Sequence, residues 1–532
     1  MSAFRQFRTW AQRAPVAERA FAGVGAALVV AVLAWLLVPP SSAPTGPSSV
    51  AIGGGAAAGG GSGPGGATGA QAGAGGSAAG ALAGGAAGSS STPGASGAPG
   101  ATGAAPGAGG TTAGGPGSGP SPGGAGGCVS PPGSDGGISA TQIKIAVITV
   151  NLVGPAANST FGLPPPSDQQ AYFQDVIDSI NASGGVACRK LVAAFFEGDP
   201  VDQSQLEQLC QSVIGQNPFF VIDLGAFYES PQIATCFPNS HIGFLSSAVT
   251  PQRILKQFYP YLFAGKQAEQ LYRDTVLGLK QRGFFTASQG FGKLGVIERS
   301  CESEFPAEFR SWLLAAGLSP SQIVTHDEGC PSQFDTPSDL EQAILAFKSA
   351  GVTSVTQVQD NQDFSNFTTV AEQQGFRPRY GIADDGVVAI TYGSQHPDYQ
   401  NIANAIAITA DRYGEEKTPG YPVSPGTARC NSIMAAHGYP PTYQAPDGIE
   451  GIACDFLWMF QAAVDHAPAL QHADVATGLQ AARSVDFAYP YGPNDFAGPG
   501  VTYGGQVWRT DQFLPSCTCW RVIDPTFHPA FS

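Results

Sequence analysis

Between Ala20 and Ser134 the chain carries no Asp, Glu, Lys or Arg, and this charge-free span decides where folding can begin. It has two parts. Phe21 to Val38 is an unbroken apolar run (FAGVGAALVVAVLAWLLV), whereas almost everything after Pro39 is Gly, Ala, Ser, Pro or Thr. Residues 39–137 hold almost no large apolar side chain to bury, and their glycines lose the most entropy on ordering. They are therefore expected to form a disordered Gly/Ala/Pro/Ser linker. About 99 residues of that kind have a root-mean-square reach of roughly 50–60 Å. Glycine does not recur at every third position, which excludes a collagen-like rod. Stretches such as Gly-Ser-Gly-Pro-Gly-Gly have no strand before them and no helix after, so they do not read as phosphate-binding loops. A folded body is expected only from about residue 138.

At 1.5 Å per residue the apolar run makes a helix of about 27 Å, enough for the hydrocarbon core of a bilayer. Arg5, Arg8, Arg13 and Arg19 precede it, so the positive-inside bias makes residues 1–20 a cytoplasmic basic head and puts the body outside. A cleaved signal peptide has the same layout, with Ser41-Ser42-Ala43 as its cleavage site. The length of the run, Trp35 near its outer end and Pro44 beyond the cut favour a transmembrane anchor over residues 21–38. Either reading exports the body. It is expected to be single-pass in the cell membrane with the globular domain extracellular or periplasmic, or secreted if the segment is cleaved.

Of 25 basic residues four lie in the head, and of 40 acidic residues only Glu18 does, which leaves the body a net charge of about −18. That sign argues against nucleic acid and against a peripheral grip on anionic lipid. All 10 cysteines lie at or beyond Cys128, and an even number in an exported domain reads as structural disulfides. Spacing leaves the connectivity open, but near neighbours across one helix-strand unit are the economical pairs: Cys210 with Cys236, Cys301 with Cys330, and Cys430 with Cys454. No C-x-x-C occurs and Cys517-Thr-Cys519 lacks a second pair nearby, so no metal is expected. No cofactor is expected either.

Gln142 to Val150 (QIKIAVITV) has the length and the continuous apolar run of a parallel strand buried on both faces. Ser167-Asp-Gln-Gln170 then reads as a capping box, followed by Tyr172, Phe173, Val176, Ile177 and Ile180 at helical spacing and a stop at Gly184-Gly185. The alternation continues with a strand over Leu191 to Phe196, a helix over Ser204 to Ile214, a strand over Phe219 to Asp223, a short helix over Pro231 to Cys236 and a strand over His241 to Leu245. A second set follows. It comprises a helix over Gln267 to Arg282, a strand over Lys293 to Glu298, a helix over Glu304 to Ala315, a strand over Gln322 to Thr325, a helix over Pro337 to Ala350, a strand over Ser354 to Val358, a helix over Phe364 to Gln374 and a strand over Arg379 to Ala383. Strand and helix taking turns implies two doubly wound, mostly parallel sheets with a cleft between them. Asp411 to Tyr443 reads as an elaborated crossing. Helices over Ile449 to Ala467 and Asp474 to Arg483 return the chain to the first lobe, and strands near Gly505 to Arg509 and Cys519 to Ile523 finish the edge of the second. Lobe 1 is then 138–264 plus about 411–484, and lobe 2 is 265–410 plus about 485–532. Three crossings would make a stiff hinge.

Ile143-Lys-Ile-Ala-Val-Ile148, the helix end Ile180-Asn-Ala-Ser-Gly-Gly185 and the strand opening Arg189-Lys-Leu191 resemble the start of a type 1 periplasmic binding protein of the leucine/isoleucine/valine-binding family, the receptors of branched-chain amino acid ABC transporters. The likeness covers about residues 138–410 and fits less well beyond. Cys188 stands where that family usually has glycine, which suggests an added disulfide. The resemblance implies that a ligand carboxylate is held by the loops Leu224-Gly-Ala226-Phe227-Tyr228 and Ser246-Ser247-Ala248, since serine hydroxyls and backbone amides make an anion site without a full charge. From lobe 2 it implies Ser303 in the loop 300–304, Asp360 in the loop 360–363, and Asp384 and Asp385, with Asp385 facing a ligand ammonium. One departure stands out. Cys301-Glu-Ser-Glu304 replaces the family's Tyr-Gly, so a stacking tyrosine is missing there unless Phe227, Tyr228 or Tyr392 substitutes.

No G-x-S-x-G elbow and no H-E-x-x-H motif occurs, and the 7 histidines are scattered, so the chain is not expected to be an enzyme. The expected function is an extracytoplasmic solute-binding protein that captures a small polar, amino-acid-like ligand between its lobes and delivers it to an ABC permease. A membrane-tethered sensor or surface module with the same fold is the alternative.

Overall fold

The computed structural model describes residues 131–532 except 134, 153, 155–157, 159–162, 201, 228–233, 299–303, 328–336, 359–360, 384–387, 389–390, 392–395, 440–447, 490 and 532. The basic head, the apolar run Phe21 to Val38 and the linker as far as residue 130 lie outside the described residues. Among those described, no helix is long and apolar enough to cross a membrane.

The first sheet is built on β1 (Gln142–Val150). Every residue from Ile145 to Val150 is buried, because the strand has a helical layer on each face. Ile143, Ile145 and Val147 pack with Phe173, Val176 and Ile177, while Ala146 and Ile148 pack with Leu206, Cys210 and Val213. Burial of each such aliphatic side chain contributes about 1.5–3 kcal/mol. The neighbours are β2 (Lys190–Gly198), β3 (Phe220–Asp223), β4 (Gly243–Thr250) and β5 (Leu262–Gln267), in the order β2-β1-β3-β4-β5 with every pairing parallel.

Helix α1 (Pro166–Ala182) crosses from β1 to β2. It opens with proline in its first turn, so Ser167, expected as the N-cap, lies inside the helix and its hydroxyl turns to Asp168 at 3.3 Å. Its end falls where expected. Gly184 and Gly185 take φ of +112° and +82°, and the Gly185 amide donates to the Ile180 carbonyl at 2.9 Å. A few residues on, Cys188 is disulfide-bonded and has φ +65°, in the left-handed region that favours glycine.

Among the described residues three helices follow against the same sheet: α2 (Gln203–Gly215), α3 (Cys236–Asn239) and α4 (Gln252–Gln257). The helix expected over Pro231 to Cys236 is described only from residue 234, with its regular turn at α3.

The second sheet contains β6 (Leu294–Glu298), β7 (Ile323–Asp327), β8 (Ser354–Gln357), β9 (Arg379–Ala383), β10 (Ile406–Thr409), β11 (Val507–Leu514) and β12 (Cys519–Pro529). Its order is β12-β11-β10-β9-β8-β6-β7, parallel from β7 to β10 and antiparallel where β11 and β12 join. Helices α5 (Ala268–Gln281), α6 (Glu304–Ala315), α7 (Pro337–Ala350) and α8 (Asn361–Gln373) wind around it. The segment expected to be only a crossing holds helix α9 (Pro425–Ala436), whose first turn is capped by the Ser424 hydroxyl accepting from the Thr427 amide. Helices α10 (Ile449–Asp465) and α11 (Asp474–Ala482) then pack together, and α10 also packs on α1 of the first sheet.

The chain passes between the sheets three times, and the passages lie side by side. In the first, which ends β5, the Ala264 amide donates to the Thr502 carbonyl of the third at 3.0 Å. Between the second and third, the Gly492 amide donates to Ala410 at 2.6 Å and the Arg412 amide to Tyr489 at 2.8 Å. Lys266 and Asp411, both buried, form an ion pair with Nζ to Oδ1 at 3.0 Å that ties the first passage to the second.

Candidate functional site

Strand direction locates the site. β5 and β10 both run into the crossings at their carboxyl ends, and β1, β3, β4 and β6 to β9 are parallel to one or the other. The carboxyl ends of all these strands are therefore on the side of the crossings, which is where ligands sit in open α/β sheets.

At the end of β1 the chain is pinned by two buried amides. Gln169 of α1 accepts from the Val150 amide at 2.9 Å through Oε1, while its Nε2 donates to the Val150 carbonyl at 2.9 Å and the Pro164 carbonyl at 2.8 Å. Asn158 donates to the Val150 carbonyl at 3.0 Å and accepts from the Leu152 amide at 2.6 Å. A polar glutamine inside an apolar helix face was the available sequence signal for this support.

At the end of β3, Asp223 is fully buried. Its Oδ1 accepts the Ala226 amide at 2.9 Å and its Oδ2 the Phe227 amide at 3.3 Å, around Gly225 with φ +126°. Burial pushes this carboxyl up to about 7 against the opposing pull of those amides. The amides expected to meet a ligand anion are thus donated to the protein's own side chain. Ala226 and Phe227 are buried, and the Phe227 ring meets Phe237 and Phe244 edge-on at 5.7 and 6.1 Å in the lobe core.

The Ser246-Ser247-Ala248 segment was expected as a loop after a strand ending at Leu245. It lies within β4, at an irregularity where the pairing with β5 jumps from Ser246 to Val249. Neither serine caps α4, whose N-cap is Pro251. Ser246 is buried and its Oγ accepts from the Ala248 amide at 3.1 Å. Ser247 is part-exposed, and its hydroxyl has no hydrogen-bond partner among the described residues. A Cβ placed on Gly225 would be 3.4 Å from Ser247 Oγ and 3.7 Å from Val150, so the ends of β1, β3 and β4 converge on this hydroxyl.

In the second lobe Glu298 ends β6 half-buried. Its carboxyl is pushed up chiefly by burial and then by Asp327 alongside, against Arg310 and the Thr325 hydroxyl. Tyr228, Ser303, Asp360, Asp384, Asp385 and Tyr392 lie outside the described residues. Beside the second and third crossings a cavity of about 40 Å³, lined by Glu415, Glu416, Tyr421, Thr427, Asn431 and Tyr489, has room for a few waters at most. Among the described residues no group of three or more His, Cys, Asp or Glu could hold a metal ion.

Cys210 is bonded to Cys236 and Cys430 to Cys454, with Cα atoms 6.6 and 6.0 Å apart. Cys301 and Cys330 lie outside the described residues. Cys517 is bonded to Cys519, a pairing the sequence reading did not anticipate.

Two parallel-rich sheets of this order make an α/β architecture that solved structures share. The chain is similar to a branched-chain amino acid ABC transporter protein from Thermus thermophilus with bound valine (13% identity, 74% of this chain and 98% of that one, TM-score 0.53). It is similar to a solute-binding protein of an ABC transporter from R. palustris in complex with 4-hydroxybenzoate (13%, 74% and 97%, TM-score 0.53). A type 1 periplasmic binding protein from Bordetella pertussis Tohama I aligns over 73% of this chain and 100% of its own (12% identity, TM-score 0.51). No protein-family model and no curated protein matches. The chain has the type 1 periplasmic-binding-protein fold.

Proposed function

We propose that the protein is an extracytoplasmic solute-binding protein that closes its lobes on a small polar, amino-acid-like ligand and hands it to an ABC permease. The observation that carries this reading is the common direction of the parallel strands toward three adjacent crossings. The ligands named for the similar structures, valine and 4-hydroxybenzoate, are both small carboxylates and support the same class. With the Ala226 and Phe227 amides occupied by Asp223, the proposed anion contact in lobe 1 is Ser247 at the β4 irregularity, with Ser246 and Ala248 next to it in the chain and Tyr228 proposed from the loop after β3. From lobe 2 the proposed contacts are Ser303, Asp360, Asp384 and Asp385, the last set against an ammonium. Residues 138–264 with about 411–484, and 265–410 with about 485–532, are the proposed lobes. Phe21 to Val38 is the proposed anchor, and a linker of roughly 50–60 Å reach would keep the receptor near a membrane partner at high effective concentration.

The test is a thermal-shift screen of the full chain in detergent against amino acids, aromatic carboxylates and fatty acids, followed by Ser247→Ala and Asp385→Ala. Each substitution is expected to weaken the selected ligand by about tenfold or more. A ligand whose affinity neither change weakens would remove the site assignment. Binding with no uptake through any permease would leave the sensor.

A further inference from the structure

We infer that the Cys517–Cys519 disulfide is a thiol-exchange site, opened by an external dithiol at Cys517 while the buried Cys430–Cys454 disulfide stays closed. The bond closes the hairpin between β11 and β12 with a sequence separation of 2, against 26 for Cys210–Cys236 and 24 for Cys430–Cys454. A bond closing so short a loop removes little freedom from the unfolded chain, so it contributes least to stability. The residue it spans, Thr518, is exposed and sits at φ +52°, where a β-branched side chain is strained.

The two sulfurs differ in access. Cys517 is part-exposed in a turn whose other members, Pro515, Ser516 and Thr518, are exposed, whereas Cys519 is 3% exposed. Cys430 and Cys454 are each 0% exposed, whereas Cys210, at 1%, is joined to a part-exposed Cys236. An attacking thiolate can line up on Cys517 in the native hairpin, but it reaches Cys430–Cys454 only after the α9–α10 packing opens. The hairpin itself survives reduction, because the ladder holds Leu514 opposite Cys519 and Phe513 opposite Trp520 without the bond.

A thiolate of the dithiol attacks Cys517 Sγ, the Sγ–Sγ bond breaks, and Cys519 leaves as a thiolate that takes a proton from water. The second thiol of the donor then displaces Cys517 from the mixed disulfide. The donor ends as a disulfide, and the protein gains two electrons and two protons as two thiols. Because β11 runs antiparallel to β10 and Leu514 lies beyond Ile406, the site is at the far end of the second sheet from the crossings. Exchange there is independent of the ligand contacts proposed above.

The test is timed reduction of the full, folded chain with dithiothreitol, acid quench, alkylation and peptide mass mapping. Cys517 and Cys519 are expected to be labelled at least about tenfold faster than Cys430 and Cys454. Equal rates, or faster opening of Cys430–Cys454, would overturn the inference. Single variants separate the sulfurs. Cys519→Ser, which frees Cys517, is expected to take up glutathione from its oxidised form at least about tenfold faster than Cys517→Ser, which leaves only the buried sulfur. Equal uptake by two variants of unchanged circular dichroism would refute attack at Cys517.

Discussion

Asp223→Asn isolates the balance between burial and hydrogen bonding at the end of β3. The native carboxyl is fully enclosed and accepts the Ala226 and Phe227 amides, and burial raises it from 3.8 to about 7. A group whose folded-state value is raised binds its proton more tightly when folded. Its contribution is fully present below the unfolded value near 4 and is lost as pH rises through about 7. A shift of about three units at 1.36 kcal/mol each is about 4 kcal/mol, of which about 3 falls above pH 5. Asparagine keeps the shape and one acceptor but cannot ionise, so it lacks this slope. It also sets an amide nitrogen against one backbone N–H, a roughly constant loss of about 1–3 kcal/mol. Wild type and variant should therefore cross: the variant is weaker at pH 5, and its relative stability rises by about 3 kcal/mol by pH 8.5. Urea unfolding at half-unit pH steps, followed by fluorescence of the buried Trp458, Trp508 and Trp520, measures the difference. Parallel curves would show that the two amides hold the carboxylate ionised throughout, and the argument from burial would fail.

Two further substitutions probe the crossings. Lys266→Met removes the ammonium that faces Asp411, which is 2% exposed, and is expected to cost about 3–5 kcal/mol by urea unfolding; adding Asp411→Leu should recover most of that, and a purely additive double variant would deny the pairing. Gly265→Ala places a Cβ 1.9 Å from the Tyr491 hydroxyl, so it should lower the melting temperature by more than a surface Gly→Ala such as Gly317→Ala would, despite the φ of +107° at Gly317, and equal shifts would mean the crossings separate freely.

The parts of the fold that could be read from the sequence are those whose burial is complete and regular. β1 shows it as an apolar run, and α1 as Tyr172, Phe173, Val176, Ile177 and Ile180 on one face. The stop at Gly184-Gly185 was readable because both glycines take positive φ. The strands that escaped notice are the two that enter the crossings. β5 reads LFAGKQ, and its buried Lys266 breaks an apolar pattern because the partner, Asp411, is 145 residues away. α9 was hidden by Pro425, which breaks a helix in its interior but suits its first turn.

The candidate site was less readable for a different reason. Resemblance to a family points to positions, such as the loop after β3 and the serines after Leu245, but whether a polar group there is free depends on local closure. Asp223 closes on two amides of its own loop, and the irregularity in β4 takes Ser246 inward while leaving the Ser247 hydroxyl without a partner among the described residues. The second outcome turns on one residue of register: shifting β4 by one position would exchange the two serines. A short polar side chain at a strand's carboxyl end is thus a better candidate contact when the pairing around it is irregular. Within lobe 1 that criterion selects Ser247 over Ala226 and Phe227.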